Sequence, residues 1–170
     1  MSEPSLKADI GVGIDHGQLY IYDLGAPIDL GGPDALEALD DAQNSGRYVG
    51  RSGDLVNMLS PVQWHFDAPM RVEVWAGEPA PEETGWDHVV DLDLNAPTGQ
   101  LAFQAPTEEE YASCAIPHGR YRIRVSGRGY DRANPQGGGG DSYRVQLWPR
   151  TGDRPPALRQ RWAGWASLMG

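Results

Sequence analysis

Four histidines, one cysteine and a face of alternating arginines are the residues of this chain whose chemistry could carry a function. His16, His65, His88 and His118 show no i, i+4 pairing of the kind a helical metal site needs. His65-Phe66-Asp67 differs, because residues two apart on a strand share one face and would form half of a metal site. No third ligand is readable, so His65 is expected to be a strand-edge histidine and no bound metal is expected. Cys114 lies between Ser113 and Ala115 in an apolar run, which suits a small buried hydrophobe rather than a nucleophile. Asp91 and Asp93 could act as an acid–base pair, but in so acidic a chain they read as an outward, wet strand face. Gly137–Gly140 is followed by no lysine and leads into a strand, so it reads as a hairpin tip and not a phosphate loop. With no nucleophile–base pair, ligand set or cofactor loop, the chain is expected to be neither an enzyme nor a cofactor carrier.

The arginines are patterned. In the run from Gly119, Arg120, Arg122 and Arg124 alternate with Tyr121, Ile123 and Val125. In the run from Ser142, Tyr143, Val145 and Leu147 alternate with Arg144, Gln146 and Trp148. A period of two means strand, and two such runs around a glycine-rich break mean a hairpin. Arginines beside a tryptophan could hold nucleic acid by phosphate contact and stacking. Asp91, Asp93 and Glu73 offer cross-strand partners instead, so internal pairing ranks first, a protein-docking patch second and nucleic acid last.

These residues need elements to position them. Ala8–Asp15 and Gln18–Leu24 read as a first strand pair joined by a tight turn at Asp15-His16-Gly17. The second of these is apolar on both faces, which marks a strand covered on both sides. Pro33 opens a short helix with Ala35, Leu36 and Leu39 as its stripe and Gly46 as terminator. Gly46–Ser60 is a connection with room for a short helix at Asp54–Leu59, and Val62–Phe66 could be a strand. Met70–Trp75, Trp86–Leu94, Gln100–Ala105 and Ser113–Ile116 complete the strands, with an exposed loop at Ala76–Gly85 and an acidic loop at Glu108–Glu110. In the tail, Leu158, Trp162, Trp165 and Met169 fall at helical spacing. The expected fold is an all-β antiparallel β-sandwich of about eight strands with one inserted short helix and a C-terminal helix. Residues 1–154 form the sandwich, and 155–170 an amphipathic tail docked on it.

The chain has 170 residues and a net charge of −10. Residues 1–118 hold 21 acids and 4 bases, while 119–170 hold 3 acids and 10 arginines. If strands from the two parts interleave, much of this charge cancels; if not, the molecule has an acidic and a basic face. Apart from Lys7 every base is arginine, a bias that fits a GC-rich bacterial genome. One cysteine allows no intrachain disulfide and fits a reducing cytosol. The start MSEPSLKADIG has no basic stretch leading into an apolar core, and no apolar run reaches the roughly 20 residues of a membrane span. A cytoplasmic location without membrane contact is the expectation.

The order of several segments resembles one bacterial family. GQLYIYDL is followed by an acidic helix and Arg47-Tyr48, then RVEVWAGEP, WDHVVDLDL, GQLAFQA, IPHGRYRIRVSGRG and SYRVQLWP. Between about Ile10 and Pro149 this is similar to the competence protein J family, whose named member inhibits a DNA-entry nuclease. Ala26–Gly32 and the tryptophan-bearing tail depart from the pattern. The resemblance implies an all-β protein that binds another protein, a toxin or nuclease, and neutralises it. A cationic, phosphate-binding cleft would be met by carboxylates. The acids expected to be presented are Asp34, Glu37, Asp40, Asp41, Glu82, Glu83, Glu108, Glu109 and Glu110. Arg120, Arg122, Arg124, Trp162 and Trp165 are further contact candidates. Two other readings compete. One is a carbohydrate- or small-molecule-binding sandwich with Trp64, Trp75, Trp86 and Trp148 as a stacking platform. The other is an accessory subunit docking through its tail.

Overall fold

A computed structural model describes residues 3–82, 84–132 and 139–169; Glu83 and the glycines 137 and 138 of the hairpin tip lie outside the described residues. Two sheets are stacked. The first has six strands in the order β1 (Leu6–Ile14), β5 (Phe66–Val74), β10 (Ser142–Pro149), β9 (Gly119–Arg128), β6 (His88–Ala96) and β11 (Ala157–Gln160). The second has five, in the order β3 (Val49–Ser52), β4 (Leu55–Leu59), β2 (Gln18–Asp23), β7 (Gln100–Gln104) and β8 (Ala112–Ala115). The all-β sandwich with an inserted helix is the architecture that the alternating runs imply. Its strands are more numerous than expected, and β5 and β10 pair in parallel, with Val72 opposite Val145.

The core lies between the sheets and is built from the inward set of the alternation. Val72, Val90, Leu92, Leu101, Ile123, Val125, Val145 and Leu147 are all buried, while Ile10 is partly covered. The expected pairing of β9 and β10 forms, with Val125 opposite Val145. β2 is covered on both sides: Leu19 and Ile21 face the main core, and Tyr20 packs under the helix with Ala35, Ala38 and Leu55. That helix, α1 (Pro33–Asn44), starts at its proline after Gly32. It lies on the second sheet through Ala35, Ala38 and Ala42, and Leu36 is 66% exposed instead of lining its stripe. Small residues win that face because the helix sits close over β3. A Cβ on Gly50 would stand 2.2 Å from the Ala38 carbonyl oxygen.

Several local expectations are corrected. β1 and β2 do not form a hairpin. The turn has positive φ at His16 and Gly17, as a tight turn demands, but after one bridge between Asp15 and Gln18 the strands part into different sheets. The stretch read as a short helix at Asp54–Leu59 is β4, paired with β3 around a turn at Gly53. Val62–Phe66 is a loop, and β5 begins only at Phe66. The tail forms no single amphipathic helix. Ala157–Gln160 adds strand β11 to the edge of β6, and only Trp165–Met169 is helical (α2), with Trp165 inserted into the core.

The largest correction concerns Asp91 and Asp93, which are 0% and 1% exposed. The outer face of β6 and β9 is roofed by the chain at Pro79 and at Arg154 and Pro155. Arg124 donates to the Pro79 carbonyl, and Arg122 to those of Arg154 and Pro155. Under this cover Asp91 stands opposite Arg124, and Asp93 opposite Arg122. The ion pairs measure 2.8 and 2.9 Å. The acidic and basic parts of the chain thus interleave and compensate across neighbouring strands.

Candidate functional site

A carboxylate-rimmed cavity of about 390 Å³ lies where β1 passes over the edge of the other sheet. Its floor is low because β1 carries glycines there. Gly11 has only open space beyond its Cα, and a Cβ on Gly13 would touch the His65 ring at 3.5 Å. Phe103 and Ala105 from the end of β7 and Ala112 from β8 close one side. His65, Asp67, Glu108, Glu110 and Tyr111 form the rim. Tyr111 is 48% exposed, and Trp64, adjacent to His65 in the chain, is 59% exposed.

The rim is organised around the imidazole. Nδ1 of His65 lies 3.4 Å from a Glu108 carboxylate oxygen, and Nε2 lies 4.0 Å from Asp67. Asp15 reaches the same place from the β1–β2 turn, so that Asp15, His65 and Glu108 each bring a ligand atom to within 4.8 Å of the others. The Thr107 hydroxyl donates to Asp15 at 2.8 Å and the His16 amide to its other oxygen at 2.9 Å. The Thr107 hydrogen bond leads the effects that hold the Asp15 carboxyl below the usual carboxylate range, ahead of a smaller opposing effect of burial. His65 and Asp67 were readable as neighbours in the sequence; Asp15 and Thr107 were not, because the contact spans 92 positions.

The other sequence candidates are scattered. On α1, Asp34 and Glu37 meet the Ser52 hydroxyl, and Asp41 pairs with Arg47 and accepts from the Arg51 amide, leaving Asp40 exposed. Glu82 pairs with Arg144 at 2.9 Å and accepts from the Trp86 indole. That Arg144 hydrogen bond holds its carboxyl below the usual range. Glu108, Glu109 and Glu110 share the loop beside the cavity, with Glu109 and Glu110 exposed. Arg120 is exposed, whereas Arg122 and Arg124 are buried in their ion pairs and are not offered to solvent. Trp162 is half-buried and Trp165 buried, both turned into the body.

No tryptophan platform is presented. Trp86 lies between Arg128 and Arg144, whose guanidinium carbons stand 4.7 and 4.6 Å from its ring centre. Trp148 is buried with Arg124 at 5.2 Å, and the Trp75 indole donates to Glu73. Cys114 is buried and its thiol pushed up by desolvation, the opposite of an activated nucleophile.

Two stacked sheets, a helix laid on the outer face of one, and a carboxylate-rimmed cavity at the edge define a compact sandwich with a presented acidic end. This fold is shared by two solved proteins. Crocagin biosynthetic protein J superposes with a TM-score of 0.58 at 18% identity, covering 85% of this chain and 97% of that one. ComJ from Bacillus subtilis, an inhibitor of the DNA-degrading activity of NucA, superposes with a TM-score of 0.56 at 10% identity, covering 88% and 99%. No protein-family model matches the sequence, and no curated protein matches it.

Proposed function

We propose that this chain is a non-catalytic, protein-binding sandwich that inhibits a nuclease-type partner, docking through its acidic end. The observation that carries the reading is the cavity rim. His65 is the only group that could be cationic among the cavity's lining residues, which include Asp67, Glu108 and Glu110 but no lysine or arginine. Elsewhere on the molecule Glu73, Glu82, Asp91 and Asp93 each have an arginine. Carboxylates left uncompensated at a surface suit a cationic partner, and a nuclease cleft that holds phosphates is such a surface. The exposed rings of Trp64 and Tyr111 add the aromatic area that interface centres favour. The fold shared with an inhibitor of a DNA-degrading activity supports the same class of partner.

The test is co-expression with the nuclease encoded nearest to this gene. The expected result is a complex that survives gel filtration and a loss of DNA cleavage proportional to the amount of this chain. A nuclease that stays separate and fully active sinks the proposal.

A further inference from the structure

Asp15, His65 and Glu108 come from three separate segments: the β1–β2 turn, the loop before β5 and the loop between β7 and β8. We infer that they form a binding site for a divalent transition-metal ion of the Mn²⁺ or Zn²⁺ kind.

The donor set and its spacing carry the inference. One imidazole nitrogen with two carboxylates is a borderline set. The imidazole favours a first-row transition ion over Ca²⁺ or Mg²⁺, and the oxygens admit Mn²⁺ as well as Zn²⁺. The 3.4 Å between Nδ1 of His65 and Glu108 matches the edge of a tetrahedron with bonds of about 2.1 Å. Trans ligands of an octahedral ion lie about 4.3 Å apart and every pair in a tetrahedral one about 3.4 Å, so a cluster spread over 4.8 Å closes by about 0.5 Å for the first and about 1.4 Å for the second. The His65 and Glu108 side chains are 50% and 39% exposed and can make that movement toward Asp15, which is 19% exposed and held by Thr107.

The surroundings are those of a ligand set. Asp67 lies 4.0 Å from Nε2 of His65, beyond hydrogen-bond reach but on the side away from Glu108, while Nδ1 is turned toward the cluster. Thr107 fixes the Asp15 carboxylate from the outer shell. No lysine or arginine is paired with Asp15, Asp67 or Glu108 among the described residues, so the negative charge is left for a mobile cation. The glycine floor keeps the cavity open to one.

The inference rests on these residues and is read on the chain alone, with no partner present. Its failure therefore leaves the inhibitor reading standing. Conversely, partner binding measured in a chelator tests that reading without the ion. Calorimetric titration of the intact protein with MnCl₂ and with ZnCl₂ is expected to show one ion per chain. His65→Ala and Glu108→Gln should each weaken binding by about tenfold or more, and Thr107→Val by about tenfold through the outer shell. Asp29→Asn, exposed in the loop before α1 and outside the cluster, should leave it unchanged. Substoichiometric Mn²⁺ should also broaden the His65 ring resonances in the unaltered protein while sparing those of His118, a readout that needs no variant to fold. Absence of saturable binding by the unaltered chain overturns the inference. So does binding that both ligand variants retain in full, or broadening centred on another histidine.

Discussion

The indole N–H of Trp165 donates to Nδ1 of His88 across 3.2 Å, joining the C-terminal segment to a strand 77 positions earlier. The backbone N–H of Trp162 donates to the same nitrogen at 3.1 Å, so Nδ1 must be the acceptor and Nε2 must carry the proton. Nε2 passes that proton's hydrogen bond to the Arg47 carbonyl oxygen. Tyr48 stacks on Trp165 at 4.2 Å, and Tyr130 meets both Trp162 and Trp165 edge-on. The imidazole is thereby fixed as neutral, and burial pulls its pKa down to about 4, with a smaller opposing effect from the Arg47 carbonyl and a further lowering from nearby Arg161.

An acid-dependent loss of stability follows. Between about pH 6.5 and about pH 4 the unfolded chain binds a proton at His88 that the folded chain refuses. Stability from this site is therefore full above about pH 6.5 and declines as the pH falls toward 4, by up to roughly 3 kcal/mol. Urea unfolding followed by tryptophan fluorescence should show the decline, and His88→Gln should flatten it in that window. A stability independent of pH between 7 and 4.5 in the unaltered protein would contradict the account.

The buried arginine–aspartate pairs should respond in a different way. Arg124 and Asp91 are joined through two hydrogen bonds at 2.8 and 3.1 Å, and Arg159 also reaches Asp91. Removing Arg124 leaves the buried Asp91 carboxylate with only the partly exposed Arg159, close to the breaking of a buried pair that costs about 3–5 kcal/mol. Arg124→Met is therefore expected to lower stability by that amount in denaturant titration. The paired change Arg124→Met with Asp91→Leu should recover much of it, because Arg159 is partly exposed and keeps Glu78 beside it. Two equally stable single and double variants would show that the pair carries no such burden.

These pairs also mark where the sequence stopped being informative. The strict alternation of Tyr121, Ile123 and Val125 with arginines made β9 legible, and two-sided apolarity made the covered position of β2 legible. The same alternation misplaced Asp91 and Asp93. It says which side chains share a face, and nothing about the loops at Pro79 and Pro155 that roof the face. β4 was read as a helix because all five of its residues are buried and apolar residues fall on both of its faces, Asn57 alone being polar, which removes the period of two. The tail spacing of Leu158, Trp162 and Trp165 satisfied a helix while the free edge of β6 was available to take a strand. At the cavity, His65 and Asp67 were legible as neighbours; the convergence of Asp15 and Glu108 on them depends on the chain crossing from β1 in one sheet to β2 in the other, which no local pattern encodes.

Gly50 offers a test of how α1 is seated. Its Cα lies under the helix, where an added methyl would meet the Ala38 oxygen at 2.2 Å and the Ala42 nitrogen at 2.3 Å, both backbone atoms that cannot swing aside. Gly50→Ala should push the helix off β3 and destabilise the fold by about 1–3 kcal/mol, as overpacking does. Gly53→Ala gives the comparison: it has no neighbour within 4 Å but a φ of +56°, so its smaller loss should come from backbone strain alone. Equal thermal shifts for the two variants would mean that the close approach carries no energy.

The acidic end can be tested by reversing its charge. Glu109 and Glu110 are exposed on the loop beside the cavity, and neither belongs to the proposed cation cluster. Glu109→Lys with Glu110→Lys changes the charge there by four units without removing a buried contact. If a cationic partner is steered to this end, association should slow by about tenfold or more at low salt, with dissociation changed less and the difference shrinking as salt is added. Glu37→Lys on α1, which packs on β3 and β4 and does not line the cavity, serves as the control for charge alone. Stopped-flow association with the partner nuclease measures both. An equal slowing by the Glu37 change would place the effect in net charge, and no slowing by either would remove the acidic end from the interface.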